Sequence, residues 1–410
     1  MRNSLNKLKF IDFRKSQRLT SLMLFSTCLS ALLLSPVAQA DNADPINFVA
    51  GISERHDNNL FRESSSERSD NITTAYAGVR LDKQYSMQRF KADFTATAYR
   101  YQKFDQLDFV SKDYAAAWLW RLTPYLSGTL SADRKQQLNT FEDYRNATLV
   151  NIQNIRINQT QHFEADFSPH GVWHLLGGAT RSTQNNSKTF NAEDSFTMNA
   201  ADGGVKYDFR SGSSVTLMGH ERRGTYEDRT LNPTALFDTR FDESEAEVKL
   251  SWLISGKSQL TARAAYVSRD HKNFSQRDYS GVAGRVDYRW TPAGKLSVTL
   301  SASSDLSSYQ TDYSSYTRNN TLSISPAYAV SDKVTLRAAA SISERTFLGD
   351  VGVPSIERVD TSKSLSLGLD WAPLRSVSVG ASLAYTSRDS NFAGFDFTDT
   401  TAGINANLFF

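Results

Sequence analysis

The chain has 410 residues, with 46 Lys and Arg against 44 Asp and Glu for a formal net charge of +2, and a single cysteine, Cys28. So balanced a charge leaves no electrostatic footprint for nucleic acid, and a lone thiol excludes a disulfide framework or a thiolate metal site. Mean hydropathy is −0.45. No stretch after residue 40 approaches the roughly 18 apolar residues of a membrane helix, but strands that alternate lipid-facing and water-facing residues escape that test.

Residues 1–40 are expected to be a cleaved signal peptide. Arg2, Lys7, Lys9, Arg14, Lys15 and Arg18 form a basic leader, Leu19 to Leu34 is apolar, and Ala38-Gln39-Ala40 is an A-x-A cleavage site. Cys28 falls inside this segment, and Thr27 before it does not suit a lipoprotein box, so the mature chain is expected to carry no thiol. Without the six bases and Asp12, the mature chain has 40 Lys and Arg against 43 Asp and Glu, a net charge of −3. Residues 41–410 are then read as one domain.

From Phe48 onward, period-two alternation is nearly continuous and resets only at turns. It predicts strands near 46–57, 70–82, 87–101, 109–121, 125–135 and 153–167. Further strands are predicted near 172–183, 195–209, 214–223, 240–253, 258–269 and 279–290. The last six are expected near 295–306, 317–329, 333–345, 358–371, 376–387 and 397–410. Each shows one apolar and one polar face. Val377, Val379, Ala381, Leu383 and Tyr385, for example, oppose Ser376, Ser378, Gly380 and Ser382.

Connections alternate short and long, and the hairpin unit recurs about every 40 residues. A soluble propeller of that repeat would need four strands per unit, whereas here there are two long ones. The fold class predicted is therefore all-β: a transmembrane antiparallel up-and-down barrel of about 18 strands in the bacterial outer membrane. Six tryptophans, Trp118, Trp120, Trp173, Trp252, Trp290 and Trp371, each lie near a short turn. They predict an aromatic belt at the membrane interface on the periplasmic side. The first strand begins soon after residue 40, so neither a plug nor a periplasmic domain is expected.

The polar parity is charge-mixed and predicts a hydrated bore, with Glu247, Lys249, Arg263, Arg285, Asp287, Arg337, Tyr99 and Tyr101 as candidate lining. Hairpin registers place Glu247 and Lys249 beside Arg263, and Arg263 beside Arg285. Such a basic cluster would suit an anionic or hydroxyl-rich solute. No G-x-S-x-G elbow exists, the six histidines are spread along the chain, and His170 and His174 flank Gly171 in a turn. No enzyme activity, metal or cofactor is expected.

After the first strand comes Asp57-Asn58-Asn59-Leu60-Phe61-Arg62, and the chain ends on Phe410 at the close of an alternating strand. With the leader and the strand pattern, these resemble the β-barrel porin type 2 group that includes the EpsL-type proteins of exopolysaccharide operons. The terminal Phe410 resembles the signal read by the barrel-assembly machinery. The resemblance implies an outer-membrane component of polysaccharide synthesis and export, a passive exit channel for the polymer. The implied partners are outer-membrane lipid and lipopolysaccharide, the assembly machinery, a polysaccharide-export partner and the polysaccharide itself. From the residues alone, a general or solute-specific diffusion porin and a structural or adhesive surface barrel stay open. The Asp57–Arg62 motif itself reads as a strand-to-loop bend with Leu60 and Phe61 tucked against the rim.

Overall fold

A computed structural model describes residues 45–143, 152–188, 195–349, 351 and 357–410. The leader, its A-x-A site and Cys28 lie outside the described residues. The first six strands are β1 (Ile46–Asp57), β2 (Asp70–Tyr85), β3 (Gln88–Tyr101), β4 (Phe109–Thr123), β5 (Leu126–Leu138) and β6 (Ile155–Phe167). The next six are β7 (Trp173–Asn186), β8 (Phe196–Asp208), β9 (Ser214–Tyr226), β10 (Arg240–Ser255), β11 (Ser258–His271) and β12 (Tyr279–Ala293). The remainder are β13 (Leu296–Ser308), β14 (Tyr316–Ser331), β15 (Val334–Leu348), β16 (Val359–Leu374), β17 (Val377–Ser390) and β18 (Phe397–Phe409). Strand β18 stops one residue before Phe410.

Every strand pairs antiparallel with its chain neighbours, and β1 pairs β18 from Val49 opposite Phe409 to Asp57 opposite Thr401. That pairing closes an 18-stranded sheet into a barrel. Closure is what the backbone requires in hydrocarbon, where an unpaired edge would leave amides without partners.

One parity of the strands is apolar and exposed. Leu365 and Leu367 are each 51% exposed and Leu383 is 49%. Cross-strand pairing joins such residues into continuous rows, as in Leu300 to Ile324 to Ala340 to Leu365 to Tyr385. An aqueous surface of this kind would aggregate, whereas each such side chain gains roughly 1.5–3 kcal/mol on transfer to lipid.

The two-residue turns at 86–87, 124–125, 256–257, 294–295, 332–333 and 375–376 all lie at one end of the barrel. Five of those hairpins carry a register shift just before the turn, at Arg121/Thr123, Leu253/Ser255, Trp290/Ala293, Ala329/Ser331 and Trp371/Leu374. A bulge at this point adds twist and turns the strand end over the rim. Lysines tie three consecutive turns each to the next: Lys257 Nζ donates to the Pro292 carbonyl at 3.1 Å, Lys295 to Val330 at 3.3 Å and Lys333 to Pro373 at 2.9 Å.

All six tryptophans sit on the outward parity near this end. Trp173, Trp252, Trp290 and Trp371 are exposed, and Trp118 donates from Nε1 to Gln88 at 2.8 Å while stacking on Phe90. Trp120 differs. It lies flat over Gly128, stacks on Phe163 and is 8% exposed, so it packs the outer wall instead of projecting into the interface. A Cβ at Gly128 would collide with the indole and with the Glu164 carbonyl.

Candidate functional site

The inward parity builds two unlike walls. On β10, Glu243, Glu245 and Glu247 point inward from alternate positions, and all three are buried. From β9, Arg222 Nη1 lies 2.8 Å from both Glu243 and Glu245. From β11, Arg269 Nη2 reaches Glu243 at 2.6 Å, and Arg263 binds Glu245 and Glu247 together. Lys249 Nζ closes the ladder on Glu247 at 2.8 Å.

The registers read from the sequence agree with this pairing: Lys249 stands opposite Arg263, and Arg263 opposite Arg285. The expected basic cluster is corrected, however. Its cations alternate with carboxylates, because like charges stacked on one wall would repel unless interleaved. Arg285 is held by Asp287 two positions along its own strand at 2.7 Å, and Arg337 pairs with Asp370 on β16.

The fold also gathers histidines that are far apart in sequence. His162, His174 and His220 all face inward on β6, β7 and β9, each against carboxylates. His220 Nδ1 is 2.5 Å from Asp202, and His174 lies between Asp166 at 2.7 Å and Asp208 at 3.0 Å. Donor atoms of His220, Glu245 and Glu247 fall within 4.8 Å of one another, close enough to hold a metal ion. Arg222, Arg263 and Lys249 already neutralise those carboxylates, so a divalent cation would have to displace them.

Across β13 to β17 the inward row is hydroxylic. Ser301, Ser323, Ser341, Ser364 and Thr386 are successive cross-strand partners, and Ser341 Oγ lies 2.8 Å from Ser364 Oγ.

At the end with the long connections, loops fold inward. The Asp57–Arg62 segment bends through Arg62 at φ 58°. Arg62 clamps Asp57 at 3.0 Å and Asp399 at 3.1 Å, and the Asn59 side chain donates to the Glu63 and Thr398 carbonyls, both at 2.8 Å. This delivers Leu60 and Phe61 onto inward-facing Ile72 and Tyr101, where Phe61 meets Phe104 and Phe141 edge-on, each at 4.8 Å. Tyr101, a candidate lining residue, is corrected: it is 7% exposed and sealed in this cluster. Tyr99 packs against the same cluster and stacks on Phe109 at 4.5 Å, but it stays partly exposed and lines a cavity of about 270 Å³ beside Arg55 and Gln137.

Phe141 belongs to the connection between β5 and β6, and the next residues reach the far side of the barrel. Asp143 lies 2.8 Å from Arg345 on β15, 3.0 Å from Arg358 before β16 and 3.4 Å from Arg388 on β17. Burial alone would raise the Asp143 carboxyl, but the three guanidiniums outweigh it and hold the group below the ordinary 3.8. A further set of loops is tied by Arg277, which is 1% exposed. It donates to the carbonyls of Ala235 at 2.7 Å, Thr311 at 2.8 Å and Ser314 at 2.6 Å. Burial, reinforced by Arg229, pulls its guanidinium down to about 10.

Beneath these loops lies a cavity of about 620 Å³. Arg156, Arg222, Arg229, Arg263, Arg269 and Arg345 line it with Glu243, Glu245 and Asp305. Of the expected lining residues, Arg263 reaches this cavity, whereas Arg285, Asp287 and Arg337 lie on the inward parity away from it. Arg269 and Arg345, near the outer ends of strands, were missed because period-two apolar signal fades there. Their only sequence trace is the repeated Ser-Arg-Asp or Ser-Glu-Arg at strand ends.

A closed 18-stranded antiparallel barrel with apolar outside, charged inside and short turns at one end is the architecture of outer-membrane β-barrels, porins among them. The family resemblance is shown over part of the chain: residues 247–409, from β10 to β18, match the family described as "Putative beta-barrel porin 2". No curated protein matches the chain.

Solved structures share the fold. The Pseudomonas aeruginosa outer membrane protein OccK1 (OpdK) superposes with a TM-score of 0.52 at 11% identity, covering 89% of this chain and 99% of that one. OpdK with vanillate gives 0.51 at 11% identity over 89% and 99%. OccK2 (OpdF) in complex with glucuronate, also from Pseudomonas aeruginosa, gives 0.50 at 11% over 89% and 97%. At that identity the likeness speaks to fold alone.

Proposed function

We propose that this porin is a passive, solute-selective diffusion channel for small organic anions. The observation that carries the reading is the arginine-rich cavity of about 620 Å³ left beneath inward-folded loops. A volume of that order matches one small molecule, and guanidiniums read a carboxylate by paired donors. The interleaved glutamates keep each arginine from binding so tightly that an anion would stick, which transit requires. Glucuronate and vanillate, present in the structures of the fold relatives OccK2 and OpdK, are molecules of this class.

The polymer-exit role that the EpsL-type resemblance implies asks for an open hydrated tube. Asp143 reaching β15 and β17 across the mouth, and Tyr101 buried in packing, weigh against it. The test is charge reversal. Arg222→Glu with Arg263→Glu in the purified chain is expected to shift zero-current potential in a KCl gradient toward cation preference and to slow glucuronate-driven swelling of liposomes. Unchanged selectivity would remove these residues from the conduction path.

A further inference from the structure

We infer that Arg345, Arg358 and Arg388 form a carboxylate-binding site at the outer mouth, occupied in this conformation by the chain's own Asp143, which acts as a tethered competitor of an incoming organic anion. The inference rests on the anion-channel reading above and assigns its entry site.

Three features separate such a receptor from a simple structural ion pair. First, the arginines are held without Asp143. Arg358 is fixed by Asp360, with Nε 2.9 Å from Oδ1, and stacks over Phe395 at 3.6 Å and Phe347 at 4.2 Å. Arg388 donates Nε to the Phe395 carbonyl at 2.8 Å and lies over Phe397 at 4.7 Å. Arg345 lies over Tyr309 at 4.6 Å and Phe347 at 4.7 Å. Guanidiniums stacked on rings stay aimed whether or not an anion is present, so ordering them costs a ligand little.

Second, Asp143 is the carboxylate that all three arginines share, whereas Asp360 meets Arg358 and Arg388, and Glu142 meets Arg388 at 4.0 Å. Removing Asp143 takes one carboxylate from all three guanidiniums at once, in a largely dry place, and an anion from water can take its position. Third, Arg345 also lines the central cavity, so the site is continuous with the bore. An anion leaving Arg358 and Arg388 meets Arg345 and then the arginines below.

An internal carboxylate held at high local concentration lowers apparent affinity by the fraction of time it occupies the site. The experiment is calorimetric titration of sodium glucuronate into the full chain in detergent, with glucose as neutral control. Asp143→Asn is expected to bind glucuronate about tenfold more tightly than the native chain, glucose binding neither, and Arg358→Gln added to that variant should abolish the gain. Equal affinity in Asp143→Asn and native protein, or an equal gain for glucose, overturns the site.

Should Asp143→Asn fail to show heat-modifiable mobility as a folded barrel, hydrogen exchange on the native chain decides. Saturating glucuronate should accelerate amide exchange at residues 139–143 as Asp143 is displaced, and unchanged exchange overturns the inference. The charge-reversal test of Arg222 and Arg263 reports on the cavity alone, so loss of one result leaves the other legible.

Discussion

The wall from β9 to β12 and the wall from β13 to β17 share a backbone and differ in almost everything that faces the bore. One is a ladder of glutamates and arginines whose members hold each other; the other is a row of serines with few charges, of which Ser301 and Asp287 are the point of contact. Their outward faces are interchangeable: Val248, Val282, Leu322 and Leu367 all meet lipid. Lipid therefore fixes one parity and leaves the other free, so bore chemistry can be changed without touching what closes the barrel.

The comparison breaks most visibly at Glu245, shared by Arg222 and Arg263. Glu245→Gln should cost about 3 kcal/mol, the lower end for unpairing a buried ion pair. It should be read as an earlier midpoint in urea unfolding from lipid vesicles. No loss would mean that water screens the ladder as it screens the hydroxyl wall.

A smaller effect comes from acid. Asp143, whose carboxyl is held below 3.8, stabilises the outer ends of β15 and β17 fully above that value, and the contribution is lost as pH falls below it toward the folded-state pKa. Hydrogen exchange at residues 139–143, corrected for the intrinsic rate, should therefore be flat from pH 7 to about 5 and rise only below about 4. A rise near neutrality would refute the arginine clamp. Smallest is Ser341→Ala. Losing the hydroxyl pair with Ser364 should cost no more than about 1 kcal/mol and leave ion selectivity unchanged. A selectivity change there would make the hydroxyl wall part of the filter.

The strands were legible because lipid imposes a two-residue period, and all eighteen predicted segments have a counterpart. The misses fall at both ends: at the short turns the strands predicted at 70–82, 279–290 and 358–371 run on to Tyr85, Ala293 and Leu374, through the bulges and turn approaches that break the alternation. The strand predicted at 214–223 runs on to Tyr226, and that at 376–387 to Ser390, because beyond the hydrocarbon the alternation turns polar while the ladder continues. The Arg263–Arg285 register was legible for the same reason. Inward folding of the mouth was not. Asp143 meets Arg345 across 202 residues, and an irregular loop carries no period to announce its partner.

The lysines at the short turns have a consequence for descent. Lys257, Lys295 and Lys333 each fasten a carbonyl at the approach to the turn that follows, so three consecutive hairpins each bring the latch for their successor. A rim built by that rule does not depend on the total. Whole hairpins can be duplicated or lost in evolution, changing the diameter, while each junction stays chemically the same.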